Sequence, residues 1–226
     1  PSVFTKWRVD SLFQKEPITI EWISRFRQND VLVDVGANVG MYTVWAACTR
    51  GARVFAFEPE AENYAVLNRN IRLNDIGSQV KAYCLALSDE PGYSELYLAT
   101  LQIGGSCHSY GEKLDFKHEP LNALYAQGCV GARLDDLVEK GVVPVPDHIK
   151  IDVDGFEPKV IAGAMKTLKD PKLRSLLIET NQNLADHMEM VGTLNELGFR
   201  HDHRQVSAAE RKSGLFKGVA EYVFER

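Results

Sequence analysis

The sequence predicts an α/β fold, a doubly wound and mostly parallel sheet with a closing antiparallel strand pair. Three observations carry that prediction. Short β-rich runs alternate with helical stretches along most of the 226 residues, the order that builds a parallel sheet with helices on its faces. The runs Val31–Val35 (VLVDV) and Arg53–Phe57 (RVFAF) are largely apolar, as strands covered on both faces are. The stretches between successive runs are long enough for right-handed helical crossovers. A composition of 45% hydrophobic and 25% charged residues, with 17 Gly and 9 Pro, is that of an ordinary globular chain and excludes collagen-like and largely disordered classes.

Taken in order, residues 1–30 read as a helical extension, in which Trp22 and Phe26, four apart after Pro17, anchor a helix to the core. After the first strand, residues 40–49 are apolar nearly all round, as a helix buried between two layers is. After the second, residues 59–74 place Tyr64, Leu67 and Ile71 on one helical face, and residues 80–87 read as one further strand. Between 88 and 146 the order weakens. Residues 94–99 alternate as a strand, residues 101–111 are rich in Gly and Ser, and the stretch is expected to be a variable insert or lid. A short helix at 134–140 precedes a strand at 148–153, a turn at Asp154-Gly155, and a helix with Val160, Ile161, Ala164 and Leu168 on one face. A strand at 173–179, a helix marked by Met188, Val191, Leu194 and Leu197, and strands near Gly198-Phe199 and at 219–224 complete the chain. No repeat or linker divides it, so a single domain over 1–226 is expected.

Charge and cysteines narrow the class. Lys and Arg number 26 against 31 Asp and Glu, a net charge of −5 that offers no sequence-wide field for a phosphate backbone, so no nucleic acid partner is expected. Cys48, Cys84, Cys107 and Cys129 contain no CxxC pair, which speaks against a zinc ribbon or redox dithiol and for free thiols in a reducing compartment. No run reaches the roughly 20 apolar residues of a membrane helix, and residues 1–10 lack the apolar core of a signal peptide. The expectation is a cytoplasmic protein without a membrane partner.

The strongest local signal is the segment Asp34, Val35, Gly36, Ala37, Asn38, Val39, Gly40, where a strand turns into a helix. Glycines there allow close approach to a ligand, and the helix start offers free N–H groups. Glu58, 18 residues after Gly40, ends the second strand, where a carboxylate can accept both hydrogens of a ribose diol. A ligand-free turn would explain the glycines alone, but not easily the glycines with Asp34 and Glu58. A dinucleotide fingerprint needs its second glycine for contact with the pyrophosphate, and Asn38 stands in that place. S-adenosylmethionine has no pyrophosphate, and its positive amino and sulfonium groups suit Asp34 and the carbonyls around Gly36. An NAD-linked oxidoreductase and a non-catalytic module that keeps the donor site remain the alternatives.

The segments DVGANVG at 34–40, FEP at 57–59, ALSD at 86–89, LDDL at 134–137 and IKIDVDGFE at 149–157 resemble, in order, the motifs of FkbM-type methyltransferases. The resemblance runs from about residue 15 to 181. It implies the Rossmann-like class I methyltransferase fold, S-adenosylmethionine as cofactor, and O-methylation of a hydroxyl on a sugar, glycan or polyketide-type product. Carried over by position, it assigns Asp34, Gly36, Asn38 and Gly40 to the methionine end of the donor, Glu58 to the ribose, and Leu87, Ser88 and Asp89 to the adenine. The family often has Glu where Asp154 stands here.

Asp152, Asp154, Glu157 and Glu179 are expected to meet at one mouth, where they repel unless a cation, acceptor hydroxyls or protons offset them. Asp154 with Glu157 can also be read as a capping box serving only the helix. Asp152, inside an apolar strand, is the leading candidate for proton removal, with Asp154 beside it and His108, in the Gly-rich loop, in reserve. Asp152, Asp154 and Glu179 could hold a divalent cation, but no spacing compels one and no metal is predicted. His201-Asp202-His203 reads as a solvated strand with both imidazoles on one face.

Overall fold

All five residues of β1 (Val31–Val35) are buried, and the strand lies between two parallel neighbours, β2 (Arg53–Phe57) and β8 (His148–Ile151). The computed structural model describes residues 2–226. Its large sheet continues on one side through β3 (Val80–Tyr83) and on the other through β9 (Ser175–Asn181), β11 (Val219–Glu225) and β10 (Arg200–His201). Only β11 runs antiparallel, against both β9 and β10. The chain builds outward from β1 through β2 to β3, then restarts at β8 and builds the other way, so the strand order reverses between β1 and β8. Ligands of doubly wound sheets bind at that crevice, above the carboxyl ends.

Period-two alternation sorts the core onto two faces. Val31, Val33 and Val35 face Ile161 of α6 (Glu157–Ala162) and Leu194 of α7 (Ala185–Glu196). Leu32 faces the other layer: Trp22 of α2 (Pro17–Ser24), Ala46 of α3 (Met41–Arg50) and Leu67 of α4 (Ala61–Leu73). Trp22 and Phe26 are buried in that layer at 1% exposure each.

Several elements differ from the sequence reading. The run 80–87 divides at Cys84-Leu85 into β3 and β4 (Ala86–Leu87), because β4 joins a separate four-stranded sheet with β5 (Gly92–Leu98), β6 (Ser109–Tyr110) and β7 (Tyr125–Ala132). Gly128 and Gly131 dilute the β signal of β7, and Gly131 leaves room for the Tyr110 ring, since a Cβ there would lie 2.2 Å from the Tyr110 hydroxyl oxygen. The short helix α5 (Leu134–Glu139) stands as expected. The helix after Asp154-Gly155 stops at Ala162 and resumes as a 3-10 turn at Thr167–Lys169, yet Val160, Ile161, Ala164 and Leu168 are all buried. On α7 the exposed Met188 is off the buried face, which His187 and Met190 occupy. His201-Asp202-His203 is not one strand: His201 ends β10, and the Asp202 side chain accepts from Arg204 N–H and starts α8 (His203–Ala209). The N-terminal α1 (Val3–Lys15) buries none of its residues. No helix among the described residues is long and apolar enough to cross a membrane.

Candidate active site

A cavity of about 420 Å³ opens above the carboxyl ends of β1, β2, β8 and β9, within the range of small-molecule sites. Three groups of residues make its wall: Gly36, Asn38 and Glu58 on one side, Asp152, Asp154 and Glu179 on the other, and α1 across the top.

On the first side the backbone makes a tight cradle. Gly36 has φ +74°, and a Cβ there would lie 1.9 Å from the Asp152 carbonyl oxygen, so only glycine lets the turn after β1 meet the end of β8. Asn38 N–H donates to Glu58 Oε2 at 2.7 Å, and Glu60 N–H donates to Oε1 at 2.9 Å. Each carboxylate oxygen keeps a further lone pair for a ligand hydroxyl. Burial pushes the Glu58 carboxyl up to about 7. The Asn38 side chain does not project into the cavity's centre as an isolated amide, because its Nδ2 donates to Gly105 O at 2.7 Å. Gly104 N–H donates to Asn63 Oδ1 at 2.6 Å, so the Gly-rich loop is tied to the turn after β1 and to the start of α4.

Three residues expected on this wall stand off it. Asp34 is buried beneath, accepting from Thr43 Oγ1 at 2.6 Å, because strand alternation turns it toward α3. Gly40 lets α3 pack on α4, since a Cβ there would lie 2.3 Å from Leu67 Cδ1. Leu87 and Ser88 line the cavity, but Asp89 does not and instead accepts from Ser88 Oγ at 2.9 Å.

On the acidic side, oxygens of Asp152, Asp154 and Glu179 lie within 4.8 Å of one another. Two of the three have cations. Lys150, 2% exposed, pairs with Asp152 at 3.0 Å, and Arg211 pairs with Glu179 at 2.7 Å. Asp154 has φ +55° and accepts from Cys107 N–H at 2.6 Å, with no cation in contact among the described residues. The environments therefore push the neighbouring carboxyls apart. Burial opposes ionisation of Asp152, but Lys150 and Lys15 outweigh it and hold that group below the usual carboxylate range. Burial, and then the charge of Asp152, raise Asp154. Glu179 is raised by burial and by Asp152.

Glu157 is not at the mouth. Its oxygens accept from Val153 N–H at 2.8 Å and Gly155 N–H at 3.1 Å, so it shapes the turn that presents Asp154. Asp154 takes no part in capping α6, whose N-cap position is Phe156. His108 lines the cavity, but its Nδ1 accepts from Ala99 N–H at 3.2 Å. The neutral ring then carries its proton on Nε2 and presents a donor, not a base; burial further lowers its proton affinity. A second cluster, His118, Asp186 and His187, has metal-like proximity. His187 spends both nitrogens on the chain, accepting from Asn181 N–H at 3.1 Å and donating to Gly155 O at 3.1 Å.

Sequence reasoning missed the cationic side of the site. Lys150 had a signal, a lysine inside an apolar strand beside Asp34 in register, whereas Arg211 and the α1 residues Trp7, Arg8 and Lys15 had none.

Comparison with known proteins fits this geometry. The methyltransferase FkbM domain matches residues 34–201, most of the chain. The chain belongs to that family. It is 29% identical over 177 residues to the hexuronic acid methyltransferase AglP of Haloferax volcanii, covering 74% of this chain and 64% of that protein, so it spans less than two thirds of that relative. It is 30% identical over 194 residues to the 31-O-demethyl-FK506 methyltransferase FkbM of Streptomyces tacrolimicus, covering 76% and 74% respectively. In fold it is similar to a protein of the NADB-Rossmann superfamily from Streptococcus agalactiae, with a TM-score of 0.51 at 10% identity over 92% of this chain and 67% of the other. The mixed α/β fold with a Rossmann-like central sheet, and membership of the methyltransferase FkbM domain family, agree with the expectation from the motifs.

Proposed function

We propose that the chain is a class I, S-adenosylmethionine-dependent O-methyltransferase whose acceptor is a hydroxyl of a sugar, glycan or polyketide-type product. The observation that carries the reading is one cavity joining the Gly36–Asn38–Glu58 cradle to a carboxylate, Asp154, with no cation in contact among the described residues. One relative is named for methylating a hexuronic acid, a sugar acid, and another for methylating 31-O-demethyl-FK506, whose name places the missing methyl on an oxygen. Residues 1–226 are read as one domain, with 1–30 a helical extension and 88–146 an insert that supplies the loop above the donor.

The cradle fits the donor on structural grounds: Gly36 lets the turn after β1 close against the end of β8 at the cavity wall, and Glu58 keeps acceptor capacity toward a ribose diol. When bound, S-adenosylmethionine supplies a methyl carbon on a positively charged sulfur. The chain's tasks are to align the acceptor oxygen with that carbon and to take the hydroxyl proton. Asp154 is assigned the proton, because its raised affinity brings it nearer to working pH than Asp152, which Lys150 holds ionised. Glu179, fixed by Arg211, and the Nε2–H of His108 are placed to orient the acceptor. Because sulfur loses its charge during transfer, a carboxylate is better used at the acceptor than against sulfur.

A methyl-transfer screen over uronic acid, hexose and macrolide hydroxyls, read as S-adenosylhomocysteine formed, tests this. Turnover with any of these acceptors is the expected result. Binding of NAD in place of the adenosyl donor in calorimetry would overturn it.

A further inference from the structure

Five cationic side chains line the cavity: Arg8, Lys15, Lys150, Lys159 and Arg211. Four already have carboxylate partners. Lys15 pairs with Glu16, Lys150 with Asp152, Lys159 with Glu112, and Arg211 with Glu179 and Glu221. Arg8 is the exception, with no carboxylate in ion-pair contact among the described residues. Its Nε donates to Gly104 O at 2.8 Å, which fixes the guanidinium against the Gly-rich loop and leaves the two Nη groups uncommitted. That loop is itself tied to Asn38 and Asn63, so Arg8 stands over the donor cradle. It lines the same cavity as Asp152, Asp154 and His108.

A partly buried guanidinium with two free donors, set across from a cradle, is a fork built for a carboxylate. We infer that Arg8 forms a carboxylate-binding site in the roof of the cavity. This rests on the methyltransferase reading, under which the carboxylate has two sources, the amino-acid end of the donor or an acidic acceptor such as a uronate. The site also gives α1 a purpose. A helix that buries none of its residues is held over the cavity by a few contacts, among them Ser2 to Ile103, Arg8 to Gly104, and the Phe13 ring on Trp45. A ligand carboxylate would add the missing tie.

The test is calorimetry on the whole chain with Arg8→Gln, and with Lys6→Gln, a change on the exposed side of α1, as control. The first arm titrates S-adenosylhomocysteine and 5′-methylthioadenosine, which share the adenosine and thioether but differ in the carboxylate. The second titrates glucuronate and glucose into protein saturated with S-adenosylhomocysteine. If the donor supplies the carboxylate, Arg8→Gln weakens S-adenosylhomocysteine roughly ten- to a hundred-fold, the range of a lost charge-assisted pair, and leaves methylthioadenosine unchanged. If the acceptor supplies it, S-adenosylhomocysteine is unaffected, and wild-type binding of glucuronate is lost with no change for glucose. Equal weakening of both adenosine ligands assigns Arg8 to holding α1 alone and overturns the inference, as does no change in either arm. Wild-type protein that binds neither adenosine ligand overturns the donor reading itself. Arg8 is then judged by titrating glucuronate into the free protein, where equal binding by wild type and Arg8→Gln overturns it.

Discussion

The same strands carry buried polar clusters at both ends, and the two behave differently. At the amino ends, His148 takes a hydrogen bond with Ser175 Oγ at 2.7 Å through Nδ1 and one with Asp30 Oδ2 at 3.1 Å through Nε2. Residue types and order are those of a nucleophilic triad. Yet Trp22 Nε1 donates to the same serine at 2.9 Å, Arg174 pairs with Asp30 at 2.6 Å, and the Phe26 ring stacks on the imidazole at 3.8 Å. No member of this cluster lines the cavity. At the carboxyl ends, Asp154 has no cation in contact among the described residues and lines the cavity. Residue types alone do not mark a site. A group left unpaired beside a cavity does, and its paired counterpart holds α2 on the sheet.

The largest effect that would break this contrast is on turnover. Asp154→Asn keeps the shape and the acceptor for Cys107 N–H, and Asn tolerates the left-handed backbone. Losing a general base costs about 10²- to 10⁴-fold in kcat, with donor affinity and Tm nearly unchanged. Full turnover by Asp154→Asn would sink the assignment. Asp152→Asn is a less clean probe, because it strands the buried Lys150. If chelator removes wild-type activity and Mg²⁺ restores it, the three carboxylates act as ligands; chelator-insensitive activity leaves Asp154 as base.

The sealed cluster should respond in stability instead. Burial pushes the His148 imidazole down to about 4, from an ordinary value of 6.5. Between those values the unfolded chain binds a proton that the folded one refuses, so stability falls as pH drops from 6.5 toward 4. The shift corresponds to about 3 kcal/mol at most. Urea unfolding at pH 7 and pH 4.5 should show a smaller acid loss in His148→Asn than in wild type, and equal losses would remove His148 from the account.

How much of this was legible in the sequence follows from where each signal lives. β1, β2, α4 and β8 were readable because their burial is written in local periodicity, and Gly36, Asn38 and Glu58 because a strand-to-helix turn followed by a strand-end acid is a local pattern. The place of α1 was not, since it depends on contacts such as Arg8 to Gly104, 96 residues away in sequence. The fate of Asp34 was lost for a different reason. Strand alternation already puts it on the face of Leu32, toward α3 rather than toward the cavity, but the motif drew attention to the residue type and away from its direction. Likewise, His108 carried the right chemistry in sequence, and only the Ala99 N–H on its Nδ1 shows that the ring presents a donor.

The smallest effect expected concerns Glu58, which shares burial with the sealed cluster but faces the cavity. Its carboxyl is raised to about 7 by burial, with two backbone N–H groups opposing that rise. Ribose hydroxyls donate to the ionised form, so a bound donor must lower the proton affinity again. Binding then releases a fraction of a proton near neutral pH, and affinity falls as pH drops below about 7. Calorimetry of S-adenosylhomocysteine at pH 6.5 in buffers of different ionisation enthalpy reads that proton directly. Glu58→Gln should abolish the buffer dependence and weaken binding about ten-fold or more, the contribution of charge-assisted hydrogen bonds. Proton release that survives in Glu58→Gln would assign it to another group, and unchanged affinity in the folded variant would take Glu58 out of the donor site.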